Sequence, residues 1–516
     1  MEKKSRTAYS FLNIVTGLGG YILNTLLGLL CRIVFTRTLV ADYLGINGLF
    51  TNLLSILSLA ELGIGTAIVY ALYKPLADED EEKIAVLVNF YGRCYRVIGI
   101  FVAVVGLCFT PFLNNLITQR PNITDNLYII YLLYLFNTAS TYFFSYRGSL
   151  LTAAQQNYFV TGISYLVTAI QSVIQIAVLL IFHNYMGYLL IQTIGTFIYN
   201  IIISYIAKKK YPYIVGKNIK PMDKSEKRKL VHNVKALVII KLSGMLVNQT
   251  DNLIITYFQG LKSVGYVSNY TLLTNTLNTL ITQFFNGITA SVGNYNALED
   301  DDKKENMFYV INFANYWLYG WGAIGIMLVA SDLVGFLFGG EYILSRSISF
   351  ALALNFYMVG MQNAVWTYKN TLGLFQPGRY LLILTAIINL SCSIWLGRAW
   401  GLFGIYIATA IARALTNAWY EPYAVFKYGL HRSPLKYFIR YVEYLLILLI
   451  VGVVSLKITD LFALPMFWKI IVDIVVCSML FNISLVVCFY KRREFVYLRG
   501  FIEKIIKKIL KKVWKK

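Results

Sequence analysis

Runs of about 20 apolar residues, the length an α-helix needs to cross the hydrocarbon core of a bilayer, recur from one end of the sequence to the other. Fourteen can be read: Phe11–Phe35, Tyr43–Tyr73, Asn89–Leu113, Leu127–Tyr146, Phe159–Phe182, Tyr185–Ala207, Ala236–Phe258, Val264–Val292, Met307–Val329, Ser347–Tyr368, Arg379–Leu396, Leu402–Phe426, Phe438–Leu456 and Phe467–Tyr490. Inside lipid every backbone N–H and C=O must be satisfied within its own segment, which constrains each run to be helical. The composition agrees: 58% of the 516 residues are hydrophobic and only 14% are charged. Soluble domains carry nearer a quarter charged residues, so a soluble enzyme fits poorly. The expectation is an all-α polytopic membrane protein of about 14 transmembrane helices.

The net charge of +22 would suit a nucleic-acid binder. That reading needs soluble basic surface, of which this chain has little, and no nucleic-acid partner is expected. The basic residues instead mark one side of the membrane. Ten Lys/Arg lie in Lys208–Lys235, four in Lys427–Arg440 and eleven from Lys491 onward, and the start is basic too (Lys3, Lys4, Arg6). Links on the other side carry single basics such as Arg37, Lys262 and Arg398. The rich side reads as cytoplasmic, and an even number of spans puts both termini there. No cleavable signal is read, because the basic start runs into a stretch long enough to span. The outer loops are too short for a folded domain, so any chemistry falls to residues on the helices.

Cys31, Cys94, Cys108, Cys392, Cys477 and Cys488 all sit in apolar stretches and read as core residues, not as a disulfide framework. His183, His232 and His431 are isolated from one another, without metal-ligand spacing. No G-x-x-x-x-G-K-[ST] loop is found. Neither a metal nor a cofactor is expected, and an ion gradient or the membrane potential is the expected drive.

Displacing the sequence by 220 residues exposes an internal repeat. "LGIN" at Leu44–Asn47 falls on "VGYV" at Val264–Val267, and "ADEDEEK" at Ala77–Lys83 falls on "ALEDDDK" at Ala297–Lys303. At 222, "YRGSL" at Tyr146–Leu150 falls on "YKNTL" at Tyr368–Leu372. Each repeat holds six spans, so the halves share one orientation and are related by an axis along the membrane normal, with a binding site expected where they meet. The expected organisation is a six-helix lobe (1–207), a basic linker (208–235), a second six-helix lobe (236–426), an extra helix pair (427–490) and a basic tail (491–516). Thr51, Ser55 and Ser58 in the first half, and Thr271, Asn275, Asn278 and Thr282 in the second, recur every three or four residues. That spacing places each set on one helix face. Such stripes either line a polar cavity or hydrogen-bond helix to helix; their presence in both halves favours the cavity.

Charges within spans are functional candidates. Among those read as deep, three are basic (Arg32, Lys241, Arg413) and two acidic (Asp251, Glu61). Arg413, flanked by alanines about halfway along the twelfth span, is the foremost candidate for a substrate-binding cation. Lys241 lies in the seventh span and can snorkel. Arg32 corresponds to Asn252, the neighbour of Asp251, so Arg32 and Asp251 are candidates to close the outer side; snorkelling to headgroups is the competing role for Arg32. Glu61 has possible partners in Arg93 or Arg96. The excess of basic charge suits an anionic substrate, because Arg and Lys match phosphate oxygens. The tail from Phe501 alternates an apolar face (Ile502, Ile505, Ile506, Ile509) with lysines, the pattern of a helix lying on an anionic leaflet.

"ELGIG" at Glu61–Gly65, "TDNLIITYFQGLKSVGYVSNY" at Thr250–Tyr270 and "CRIVFTRTLVADYLGINGLF" at Cys31–Phe50 resemble the polysaccharide flippases. These are the O-antigen and teichoic-acid type exporters of the multidrug/oligosaccharidyl-lipid/polysaccharide superfamily. The resemblance implies transfer of an undecaprenyl-diphosphate-linked oligosaccharide across the bacterial cytoplasmic membrane by alternating access. It implies no enzymatic step. The implied partners are the lipid-linked oligosaccharide, membrane lipids, and a polysaccharide polymerase with other assembly proteins. In this reading the polar stripes take the sugar, and Arg413 with Lys241 takes the diphosphate. The alternatives are a cation-coupled drug or metabolite antiporter of the same superfamily, or a membrane glycosyltransferase or polymerase. The latter would want a larger outer domain and more carboxylate in the first outer loop than Asp42.

Overall fold

The computed structural model of the chain describes residues 6–57, 64–117, 121–154, 156–215, 221–223, 250–374, 378, 380–462, 464–500 and 503. All regular structure among these residues is helical, as the lack of water in a bilayer demands. The first half contains α1 (Arg6–Thr38), α2 (Ala41–Leu57), α3 (Ile64–Ala77), α4 (Glu81–Phe109), α5 (Leu127–Thr141), α6 (Tyr146–Ala153), α7 (Asn157–Phe182) and α8 (Tyr185–Lys210). The second contains α9 (Leu261–Leu298), α10 (Asp301–Phe338), α11 (Arg346–Thr371), α12 (Leu381–Leu415), α13 (Asn417–Ala424), α14 (Leu435–Thr459) and α15 (Met466–Phe489).

Nine helical stretches among the described residues are long and apolar enough to cross a membrane, or ten if α5 and α6, bent by 45°, form one span. The protein is a multi-pass membrane protein. The expected seventh span falls largely in residues 224–249, outside those described. One of the nine stretches, Leu381–Gly429, is two antiparallel arms. Gly401 has φ 61° and ψ −138°, a conformation that side chains resist, and the chain doubles back there. Thr409 Oγ1 consequently donates to Asn389 Oδ1 at 3.1 Å, and Thr385 Oγ1 to Thr416 Oγ1 at 2.8 Å. These residues are almost wholly buried. Exposed Trp395 and Trp400 flank the turn, where amphipathic rings suit a membrane–water interface.

The chain divides into two compact units, 1–265 and 266–516. In the first, α1 lies along α7: Gly20 accommodates the Tyr165 ring, and Asn24 Nδ2 reaches the Tyr165 carbonyl at 3.2 Å. Phe35 packs edge-on against Tyr185 and Tyr188 of α8. In the second, α10 is the central element, sheathed by α11, α14 and α15. Tyr316 stacks on Tyr444 at 4.2 Å, Gly320 makes room for Phe481, and Trp317 Nε1 donates to Asn482 Oδ1 at 3.0 Å. Lipid supplies no hydrophobic drive between helices, so such close packing and hydrogen bonds of on the order of 0.6 kcal/mol each hold them together.

The repeat is visible in local chemistry. Asp80 caps α4 by accepting from the Lys83 N–H, and Asp300 caps α10 by accepting from the Lys303 N–H, both at 2.9 Å. These residues are 220 apart in sequence, as are the first helical residues Glu81 and Asp301. A carboxylate at a helix N-terminus satisfies an orphan donor and opposes the dipole, which explains why the two acidic loops coincide.

Gly404 tests the hairpin. A Cβ there would lie 2.0 Å from the Leu396 carbonyl oxygen, whereas one at Gly325 of α10 would meet nothing within 4 Å. We expect Gly404→Ala to cost about 1–3 kcal/mol of stability, read as a lowered melting temperature in detergent. Gly325→Ala should leave the temperature unchanged or raise it.

Candidate functional site

In the first unit α2 closely approaches the opening turn of α9. A Cβ on Gly45 would lie 2.1 Å from the Leu261 carbonyl oxygen, and a Cβ on Gly265 would lie 2.7 Å from the Ala41 carbonyl oxygen. Glycine at both positions allows this approach. The repeat offset of 220 carries Ala41 to Leu261 and Gly45 to Gly265. Each contact is therefore the repeat mate of the other in sequence. Asp42 and Lys262, also repeat equivalents, face one another with Oδ2 and Nζ 4.0 Å apart. Asp42 is buried and Lys262 exposed. Next to them the Tyr43 hydroxyl donates to Asp125 Oδ2 at 2.5 Å.

The polar stripes divide into two kinds. Thr51 is exposed and Ser55 half-buried on α2; Ser55 donates back to the Thr51 carbonyl at 2.7 Å. Their repeat equivalents on α9 are also partly open, with Thr271 half-buried and Asn275 exposed. Further along α9 the role changes. Tyr319 of α10 donates to Asn278 Oδ1 at 2.9 Å, shares a 3.2 Å hydrogen bond with Thr282, and accepts from Asn363 of α11 at 2.7 Å. Asn278 and Thr282 therefore join three helices, whereas Thr51 and Asn275 keep polar surface open. Ser58 lies outside the described residues.

Among the charged candidates, Lys241 and Glu61 also lie outside the described residues. Arg32 is half-buried on α1. Asp251 is half-buried within helical residues 250–259. The helix that carries Arg413 is interrupted close to it. Arg413 occupies the last turn of α12, and the helix breaks at Thr416 (φ −128°, ψ −89°) before α13 resumes it. Carbonyls freed by the break gain local donors: the Thr416 N–H reaches the Arg413 carbonyl and the Trp419 indole reaches the Leu415 carbonyl. A cation at such a helix C-terminus is favoured by the dipole, so Arg413 has a structural role in addition to any binding role.

The structure enlarges the set of charges beyond the sequence reading. Glu421, Glu443 and Asp473 fall within segments expected to span, and so do Arg440 and Lys469. Glu421 is buried, bonded to the Trp366 indole and to Lys369 Nζ at 3.2 Å. Asp473 is buried one turn beyond Lys469, which pairs with Asp332 at 2.6 Å. Lys369 has a repeat equivalent in Arg147, the basic residue of "YRGSL". Arg147 donates to Ser204 Oγ at 2.5 Å and stands 4.8 Å over the Tyr146 ring. Among the described residues no carboxylate pairs with it. The sequence signal was present, since both repeat motifs carry a basic residue at their second position.

If the open stripe positions line a polar cavity, Thr51→Cys and Asn275→Cys should react readily with a membrane-impermeant maleimide in intact membranes. Thr282→Cys, at the three-helix junction, should react slowly. Protection of the first two by lipid would refute the cavity.

Residues 12–292, more than half of the chain, match the family model described as "Polysaccharide biosynthesis protein". No curated protein matches the sequence. Among solved structures, the chain is similar to the lipid II flippase MurJ in an inward closed conformation: TM-score 0.62, 15% identity, over 92% of this chain and 99% of that one. It is also similar to an inward-facing multidrug resistance MATE family transporter of the MOP superfamily: TM-score 0.60, 13% identity, over 76% and 91% of the two chains. A MATE structure in a bent conformation gives 0.51 at 12% identity, over 77% and 90%. At these identities the likeness is one of fold. The family match is one of sequence, and on it the chain belongs to the polysaccharide biosynthesis protein family, the relationship its Cys31–Phe50 and Thr250–Tyr270 segments resemble.

Proposed function

We propose that the chain is a flippase that carries an undecaprenyl-diphosphate-linked oligosaccharide from the cytoplasmic to the outer leaflet of the bacterial cytoplasmic membrane. It does so by alternating access, with fourteen spans and both termini cytoplasmic, and makes or breaks no covalent bond. Family membership, shared fold with a lipid II flippase, and repeat-matched open polar positions support this reading. The single observation that carries it is the match of Thr51 to Thr271 and Ser55 to Asn275, polar surface kept on helices that hydrocarbon would otherwise exclude.

In this mechanism the polar stripes receive the sugar while the prenyl tail stays in lipid. Arg413, Lys241 and Arg147 are the proposed diphosphate cations, and Arg32 with Asp251 closes the outer side. The tight contact of α2 with the first turn of α9 must separate for that side to open. Its narrow glycine surfaces, with a long Asp42–Lys262 separation, give little to hold it shut. The six-helix lobes, linker, extra pair and tail follow the sequence boundaries, with a polysaccharide polymerase and other assembly proteins as proposed partners.

A cation-coupled antiporter shares the fold. It would want an intramembrane carboxylate open to substrate, whereas Glu421 is taken up by Lys369 and Trp366.

Deletion of the gene should make lipid-linked oligosaccharide accumulate on the inner leaflet and surface polysaccharide fall. Drug sensitivity without such accumulation would favour the antiporter. Arg413→Ala, with folding checked by melting temperature, should lower transport about tenfold or more, the value of one lost charge-assisted contact. Wild-type transport would remove Arg413 from the site.

A further inference from the structure

A polar cavity of about 570 Å³ opens where three helix ends of the second unit converge. Its wall combines the start of α10 (Glu305), the start of α14 with the link before it (Arg432, Lys436, Arg440, Glu443), and Arg492, just past the end of α15. Its volume is in the range of small-ligand sites. Four cations line it against two carboxylates, because the other carboxylates that engage these cations, Asp302 and Glu494, are not part of the wall.

The cations are held in place and keep donors to spare. Lys436 Nζ and Arg440 Cζ both stand over the buried ring of Tyr309, at 4.5 and 4.1 Å, and Arg492 Cζ stands 5.3 Å from the centre of Phe489. Lys436 pairs with Glu305 at 3.0 Å, and Arg432, Arg440 and Arg492 each make one hydrogen bond to a carboxylate, of Asp302, Glu494 and Glu443 respectively. A guanidinium has five N–H donors, so each retains several for an incoming anion.

The cavity also has an apolar lip. Leu435 and Ile439 line it and are 63% and 61% exposed. The same outward face of α14 continues through Val442, Leu446, Ile450 and Val453, all exposed. At the spacing of one helix face they make an unbroken apolar track leading away from a cationic pocket. That combination matches one molecule: an anionic phosphate head attached to hydrocarbon chains.

We propose that this cavity binds the headgroup of an acidic membrane phospholipid, whose acyl chains lie along the exposed face of α14. Basic pockets at helix ends recognise such heads, and the apolar track excludes a free anion as the preferred ligand. The site clamps the extra helix pair to α10 and is separate from the polar stripes. It goes beyond the flippase reading and does not depend on it.

The test uses the full-length protein in detergent micelles, titrated with phosphatidylglycerol or phosphatidylcholine and read by native mass spectrometry. The wild type should retain phosphatidylglycerol at least about tenfold more tightly than phosphatidylcholine, the difference one charge-assisted contact makes. Lys436→Gln removes a wall cation and should abolish most of that preference. Ile439→Glu changes an exposed side chain outside every ion pair, so it probes the same lipid without disturbing the fold, and it should weaken retention similarly. The tail lysines are common to all three proteins and add the same background. Equal retention of the two lipids, or wild-type retention by both variants, would overturn the proposal. So would displacement of phosphatidylglycerol by excess inorganic phosphate, which would mark a free-anion site.

Discussion

Everything in this fold follows from the cost of leaving a peptide group unpaired in hydrocarbon. That cost makes each apolar segment helical, and it governs the departures from helix even more strictly. At the Thr416 break the freed carbonyls of Ala412, Arg413 and Leu415 accept from the Thr416 hydroxyl, the Thr416 N–H and the Trp419 indole. At the Gly401 turn, Thr385, Asn389 and Thr409 hydrogen-bond from arm to arm. At Thr416 the irregular backbone is repaired by donors from its own neighbourhood; at Gly401 the arms are joined by side chains.

The same economy explains how the protein uses its many tyrosines. The chain has 40, and the largest fully buried side chains are all tyrosines, among them Tyr131, Tyr185, Tyr316, Tyr319 and Tyr357. Between helices in lipid, a tyrosine supplies a broad packing surface and a hydroxyl that can bridge. Tyr319 joins α9, α10 and α11, and Tyr131 reaches the Gly106 carbonyl at 2.9 Å. The buried tyrosines are structural.

Helix type and the repeat were legible because both rest on local pattern. The caps at Asp80 and Asp300, and the glycines at 45 and 265, stand where the offset puts them. What pattern could not decide was the fate of a polar residue on a helix face. Asn275 and Asn278 are three apart on α9 and look alike in sequence, yet one is exposed and the other is bonded to Tyr319. The difference lies on a neighbouring helix. Glu421 escaped notice for a related reason: it sits beyond a helix break that apolarity conceals, and its partners Trp366 and Lys369 come from α11. Counting along an ideal rod also overlooked the break at Thr416, three residues beyond Arg413.

The Gly401 hairpin bears on how the protein enters the membrane in the first place. Its arms are joined by a turn with no loop, so neither can be released into lipid while the other waits in the insertion channel. They must partition together. The buried polar groups of Thr385, Asn389, Ser393 and Thr409 would each penalise a solitary arm. Within the pair they hydrogen-bond to one another, so the two arms are a better solute for the bilayer than either alone. The hairpin is thus self-contained in its polar contacts: what one arm could not carry into lipid alone, the other arm satisfies.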